Sequence, residues 1–346
     1  GGRVYDRFVG YLVGITVEGG VEGWGETMPY QSTYLPASAG AARAALIELA
    51  PHLIGADVRQ TARVCAIMDV AMKGHGFAKV ALEMAAWDAV GKLTGWPLWA
   101  LFGGYLTPRP PISAHVGALS DGESALDAKI TGYRALGLRE FSCKASGDVV
   151  EDLAFLRFMT SRMTEGESAK FDCNGGWRVD EAIRIFRAGV GHHLWFEQPC
   201  RTYEECRDVR RAVAMPMILD ECATDLALIA RAHEDRVLDG VSLKPARSGG
   251  IRHTLTMRDF LLALGKPMHV QEVCGTDFVA AMIAHIAHSV PPDRFMAAWD
   301  PHNLIATHTG HGGPDRSTGR LIAGPGPGLG VTPDTGLLTA PIADFA

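Results

Sequence analysis

Five residues in this chain have the types needed to hold a cation and move a proton, and they recur at even steps. Lys144 ends the run Glu140-Phe-Ser-Cys, and Asp172 ends Ala169-Lys-Phe. Glu197 ends Leu194-Trp-Phe, Asp220 ends Met217-Ile-Leu, and Lys244 ends Gly240-Val-Ser-Leu. The steps are 28 (172−144), 25 (197−172), 23 (220−197) and 24 (244−220) residues. Taken singly, an acid or a lysine can end a strand because strand ends are wet. Three acids on consecutive units, with a lysine one unit to either side, point instead to one pocket. Three carboxylates form an all-oxygen donor set, which suits one Mg²⁺, with Mn²⁺ as the substitute, rather than Zn²⁺, which prefers nitrogen and sulfur. A carboxylate substrate held by such an ion becomes an electron sink, and its α-proton can leave to a base. A lysine near its ordinary pKa of about 10.4 is a poor base at neutral pH, so its surroundings must lower that value. Lys144 and Lys244 on opposite sides of the α-carbon would racemise or epimerise it. A β-leaving group would turn the same step into elimination.

A step of this length fits a strand, a turn, a helix and a return loop. Helical segments are predicted at 124–136, 150–164, 179–188, 203–214 and 226–234, between the apolar runs. Regular alternation argues for parallel βα units, and in a parallel barrel the strand C-termini converge on one mouth where catalysis sits. A first strand is expected at 111–117, a seventh at 268–273 and an eighth at 296–299. Ahead of the barrel, Tyr11–Val17, Glu18-Gly-Gly20 and Val21–Glu26 read as a β-hairpin. Helices are expected at 37–53, 59–72 and 77–94. The last has an apolar face of Val80, Ala81, Met84, Trp87 and Leu93 carrying Asp88, and it stops at Gly95. The expected architecture is α/β, with residues 1–108 and the tail 305–346 forming an α+β cap and residues 109–304 forming the barrel.

The constellation resembles the muconate-lactonising subgroup of the enolase superfamily. It is carried by Lys144, Asp172-Cys-Asn-Gly-Gly-Trp177, Glu197-Gln-Pro199, Asp220-Glu221, and Lys244 followed by Ser248-Gly-Gly-Ile251. The resemblance covers nearly the whole chain. It implies a modified (β/α)7β barrel of TIM type whose cap is completed by the C-terminal tail. It also implies Mg²⁺ on Asp172, Glu197 and Asp220, and Lys144 and Lys244 as the catalytic bases. Asn174 and Glu221 would support that site from behind. In one place the chain departs from the pattern: the family's Lys-x-Lys reads Ser142-Cys143-Lys144 here, so a serine replaces the supporting first lysine. Cap loops in the family close over the substrate, which brings in Tyr34 and His75. His269 is read as structural or as supporting the site from behind, because Lys244 occupies the sixth-strand place. Glu272, Trp299 and Asp300 end strands seven and eight, where they would meet the distal part of the substrate. The loop around Ser32–Pro36, the Gly74-His75 loop and the run Met268–Asp277 look most like the branch acting on proline derivatives. Dehydration of cis-3-hydroxy-L-proline is the expected reaction, and epimerisation of a proline betaine is the alternative.

Composition agrees with an enzyme of small molecules. At 47% hydrophobic residues over 346 positions, the chain can bury a large core. A net charge of −6 without a basic stripe argues against nucleic acid as a partner. No apolar run reaches membrane-spanning length, and the first residues do not read as a signal peptide. Seven cysteines in no zinc-binding spacing fit a reducing cytoplasm. A homo-oligomer is expected.

Overall fold

A computed structural model describes residues 7–30, 32, 35–301 and 305–345. The described chain forms two compact units. One holds residues 111–242 and 261–269, and the other holds the remainder on either side of these segments. Among the described residues no helix is long and apolar enough to cross a membrane, and no disulfide links the seven cysteines.

The second unit starts with the expected hairpin. Strands β1 (Tyr11–Thr16) and β2 (Glu22–Thr27) pair antiparallel, from Tyr11 opposite Thr27 to Thr16 opposite Glu22. The helices α1 (Ala39–Leu49), α2 (Thr61–Ala71) and α3 (Gly76–Thr94) follow. They share a core of Ala45, Leu49, Val64, Met68, Ala78, Leu82 and Ala86, in which each fully buried Leu or Met contributes about 1.5–3 kcal/mol. Strand β2 lies so close to α3 that a Cβ on Gly23 or Gly25 would stand 2.1 Å from the carbonyl oxygens of Ala85 and Ala81. Helix α3 differs from its expected amphipathic form. Every residue from Ala78 to Gly91 is buried, including Lys79, Glu83 and Asp88, whereas Leu93 is exposed. Small side chains let neighbours approach it from all sides, so no single apolar face was needed. The helix ends as anticipated at Gly95, whose φ of 74° is the left-handed stop. A single turn, α4 (Leu98–Leu101), comes next.

Strands β3 (Ala114–Gly117), β4 (Glu140–Lys144), β5 (Ser168–Asp172), β6 (Leu194–Glu197), β7 (Met217–Leu219), β8 (Gly240–Leu243), β9 (Met268–Val270) and β10 (Phe295–Ala298) form one eight-stranded sheet in chain order. The pairs from β3 to β8 are parallel. The crossovers are α5 (Glu123–Ala135), α6 (Val149–Arg162), α7 (Val179–Gly189), α8 (Tyr203–Ala212), α9 (Leu226–Glu234), α10 (Pro245–Ser248) with α11 (Ile251–Ala263), and α12 (Asp277–His288). The short pair β11 (Gly310–Gly312) and β12 (Val331–Pro333) lies in the tail.

Period-two alternation gives β4 to β6 two distinct faces. Phe141, Phe171 and Phe196 are fully buried toward the helices. There Phe155 meets Phe171 at 5.5 Å between ring centroids, and Phe186 stacks on Phe196 at 4.1 Å. Ser142, Lys144, Lys170, Asp172 and Glu197 alternate with these rings and so leave the opposite face. Within the first unit, Glu140 on β4 lies 3.2 Å from His269 on β9. Five strand spacings of about 4.8 Å would hold them roughly 24 Å apart in a flat sheet, so the sheet is curled.

Candidate active site

Lys144, Asp172 and Glu197 stand in register on three neighbouring strands. Lys144 Nζ donates to Asp172 Oδ2 at 3.0 Å and to Asn174 Oδ1. Asn174 Nδ2 donates to Glu221 Oε1 at 2.8 Å. This end of the group is wet, with the Lys144 side chain 44% and that of Asp172 22% exposed. One residue pair lower the site is dry. Lys170, in register with Ser142, is ion-paired with Glu197, and their side chains are 3% and 1% exposed. The Ser242 hydroxyl donates to the other oxygen of Glu197.

Two backbone turns fix the acids. Asn174 and Gln198 have φ of 43° and 41°, a left-handed conformation costing a non-glycine residue about 1 kcal/mol or more. Gln198 turns the chain directly after Glu197, and Asn174 does so two residues after Asp172. The fully buried Gln198 accepts from the backbone N–H of Asp220 at 3.0 Å and of Cys222 at 3.3 Å, and its Nε2 donates to the Cys200 carbonyl at 2.9 Å. The Glu197 end of β6 is thereby tied to the buried Asp220 at the end of β7.

Burial works against the Lys144 ammonium, but the charge and hydrogen bond of Asp172, aided by Glu197 and Glu221, outweigh it and hold its pKa above the ordinary lysine value. Burial likewise opposes the Lys170 charge, and Glu197, Asp172 and Glu140 reverse the effect. The carboxylate charge that keeps the proton on Lys144 is the charge a bound dication neutralises. Asp172, Glu197 and Asp220 offer oxygen donors only, from three neighbouring strand ends, and that donor chemistry suits Mg²⁺. As the side chains lie, no three His, Cys, Asp or Glu among the described residues are gathered at metal-holding distances. Asp172 is turned toward Lys144, so holding an ion requires it to exchange that contact, whereas each Glu197 oxygen keeps a lone pair beside its Lys170 or Ser242 partner.

The other expected site residues belong to the second unit. Lys244 is buried at the start of α10. Glu272 is buried and accepts from the Ala246 N–H at 2.8 Å and the Val273 N–H at 2.9 Å. Burial pushes its pKa up. Trp299 is half-buried, and its backbone N–H donates to the Val270 carbonyl at 3.0 Å. Asp300 accepts from Arg316 Nε at 2.8 Å, a partner that competes with any substrate ammonium. His75 is exposed, and with φ 53° it precedes α3 while its carbonyl receives the first N–H groups of that helix. Tyr34 lies outside the described residues. Lys170 and Ser242 have no role in the sequence reading, and Gln198 enters it only within the motif Glu197-Gln-Pro199. Lys170 carried a usable signal, since it lies two residues before Asp172 and so shares its face.

Acids and lysines closing successive strands of a curled parallel sheet define an α/β enzyme scaffold of the barrel type. Two family models cover most of the chain. "Mandelate racemase / muconate lactonizing enzyme, N-terminal domain" matches residues 6–103, and "Enolase C-terminal domain-like" matches residues 125–337. The chain is 34% identical to the cis-3-hydroxy-L-proline dehydratase of Roseibium aggregatum over 345 residues, covering 100% of this chain and 94% of that protein. It is 28% identical to the L-Ala-D/L-Glu epimerase of Bacillus subtilis, covering 92% and 88%. A crystal structure of an enolase-superfamily member from Roseovarius nubinhibens ISM complexed with magnesium superposes with a TM-score of 0.91 at 34% identity, covering 97% and 92%. The chain belongs to the mandelate racemase/muconate lactonizing enzyme group of the enolase superfamily, and it is an enzyme of that superfamily.

Proposed function

We propose that this enzyme removes the proton α to the carboxylate of cis-3-hydroxy-L-proline and expels the 3-hydroxyl as water. The observation that carries the substrate is the likeness, along the whole chain, to a dehydratase of that compound. Asp172, Glu197 and Asp220 would hold Mg²⁺, which supplies charge stabilisation for the enediolate. In the cis isomer the hydroxyl shares a ring face with the carboxylate, so it lies opposite the α-hydrogen. Elimination therefore needs a base on one face and an acid on the other, and we assign these roles to Lys144 and Lys244. The C2–H bond breaks to the base, a C2=C3 bond forms, and the C3–O bond breaks with protonation of the departing oxygen. The resulting enamine tautomerises to a cyclic imino acid. Glu272 is assigned to the ring nitrogen and Trp299 to the ring face. Asn174, Glu221 and Ser142 support the first group. His75, Tyr34 and Asp300 are placed at the substrate's periphery, with residues 1–108 and 305–346 as the cap over the barrel of 109–304. A cytoplasmic homo-oligomer acting on a small carboxylate, with no nucleic acid or membrane partner, completes the reading.

The test is incubation with cis-3-hydroxy-L-proline with and without Mg²⁺, following the cyclic imino acid. An untouched substrate alongside epimerised proline betaine would transfer the assignment to the two-lysine epimerase reaction. Epimerases among the relatives favour that second reading.

A further inference from the structure

The superfamily pattern leads one to expect a lysine at position 142, yet the site is not short of a buried cation. Lys170 stands in register with Ser142 on the neighbouring strand and leaves the same face. Its ammonium meets Glu197 at a level closed to water, with the two side chains 3% and 1% exposed. Ser242 takes the other Glu197 oxygen. Lower on the same face, Glu140 is engaged with His269 at 3.2 Å. A buried carboxylate is rarely tolerated without a charged partner, and removing one member of such a pair is far costlier than removing both. Two fixed partners, one per oxygen, also set the plane of the Glu197 carboxylate.

We infer that Lys170 is a positioning residue that orients Glu197 for its ligand role, supplying from β5 the cation that β4 lacks at Ser142. The inference rests on the proposed metal-binding role of Glu197. It makes the charge, and not the strand it comes from, what Glu197 requires. Neighbouring strands lie about 4.8 Å apart, so a lysine from 142 can reach the same enclosed level once Lys170 is gone. In the natural protein a lysine at 142 would instead crowd a second ammonium against the first.

The experiment is a cycle of four proteins, the natural chain, Lys170→Met, Ser142→Lys and the double variant, with Lys170→Arg as a fifth that keeps the charge. Each is followed by its thermal unfolding midpoint without metal, by the rise of that midpoint on adding Mg²⁺ alone, and by turnover. Methionine keeps the volume of the lysine stem and removes its charge. The expected result is a reversal of sign. Ser142→Lys lowers the metal-free midpoint of the natural protein and raises that of Lys170→Met. Lys170→Met loses the Mg²⁺-dependent rise and at least about tenfold in turnover, while the double variant and Lys170→Arg regain most of both. A plain filler role for Lys170 would leave Ser142→Lys without benefit in either background, which overturns the inference. Near-natural behaviour of Lys170→Met overturns it too. Should Lys170→Met fail to fold, folding of the double variant supports the inference and its failure to fold refutes it. If the natural protein itself does not respond to Mg²⁺, the metal assignment fails, and the metal-free midpoints still decide the role of Lys170.

Discussion

In the first unit, Asp172 and Glu197 face the ammonium groups of Lys144 and Lys170. In the second unit, buried carboxylates mostly face backbone N–H groups. Glu26 accepts from Thr276 at 2.9 Å and Val279 at 3.1 Å, and Glu83 accepts from Arg252 at 2.8 Å. Asp88 accepts from Trp24 at 2.9 Å and Leu329 at 2.8 Å, with Lys92 as a third partner at 2.7 Å. Backbone donors cannot rotate away, so these acids stitch together segments far apart in the chain. The part-exposed Lys144 side chain can move, so Asp172 can give up its partner to a ligand, while the enclosed Lys170 stays beside Glu197. The kind of donor a buried carboxylate faces therefore says more than its burial, with Glu272, assigned above to the substrate nitrogen, as the exception that also faces two backbone N–H groups.

The sharpest way to break this contrast is kinetic. Asp172→Asn should lower turnover roughly a thousandfold or more, because a metal ligand is lost, while the unfolding midpoint stays near the natural one. Glu83→Gln should do the reverse. Turnover of Asp172→Asn close to natural in the Mg²⁺ assay would end the assignment. Next in size is Asp88→Ala, which leaves the buried Leu329 N–H and the part-buried Trp24 N–H without their acceptor and takes from Lys92 its carboxylate partner. It should cost about 3–5 kcal/mol in urea unfolding, with natural kinetics in the fraction that remains folded.

The third outcome depends on pH. Burial raises Glu26 from 4.5 to about 7 against the opposing hydrogen bonds of Thr276 and Val279. The folded protein therefore keeps a proton that the unfolded chain has released. This contribution to stability is complete below pH 4.5 and is lost as pH rises through about 7, a total of roughly 3 kcal/mol. Glu26→Gln should flatten that fall, and parallel stability curves for the two proteins would show that Glu26 does not cause it. The smallest effect belongs to the stitching device where it occurs at the surface of the first unit. Thr202 and Glu205 cap α8 reciprocally, at 3.2 Å and 2.9 Å. Thr202→Ala should cost about 1 kcal/mol and leave turnover unchanged.

The strand ends were legible in the sequence because Phe141, Phe171 and Phe196 alternate with polar residues, and period two exposes both faces at once. The helices α3 and α12 were harder for the opposite reason. Each is buried nearly all round, and a helix without a wet side has no apolar stripe to find. Helix α3 is legible from its apolar spacing and its Gly95 stop but not in its all-round burial, and α12 leaves no such signal. Lys170 is not legible from strand ends alone, because the dry part of the site begins one residue pair before the last residue of β5. The pairing of Asp300 with Arg316 had no local signal, because the two come together only through the course of the tail.

The turn at Asn174 also bears on how the protein ages. Asn174 is followed by Gly175, the sequence most open to loss of side-chain ammonia, since the small glycine lets its nitrogen reach the asparagine amide carbon. Here the Gly175 N–H is given to the Gln198 carbonyl at 2.8 Å, and the Asn174 amide is engaged by Lys144 and Glu221. Deamidation is held off only while this turn stays shut. Opening it would leave a second aspartate beside Asp172, making slow chemical ageing, read by peptide mapping of stored enzyme, a clock for how often the turn comes undone.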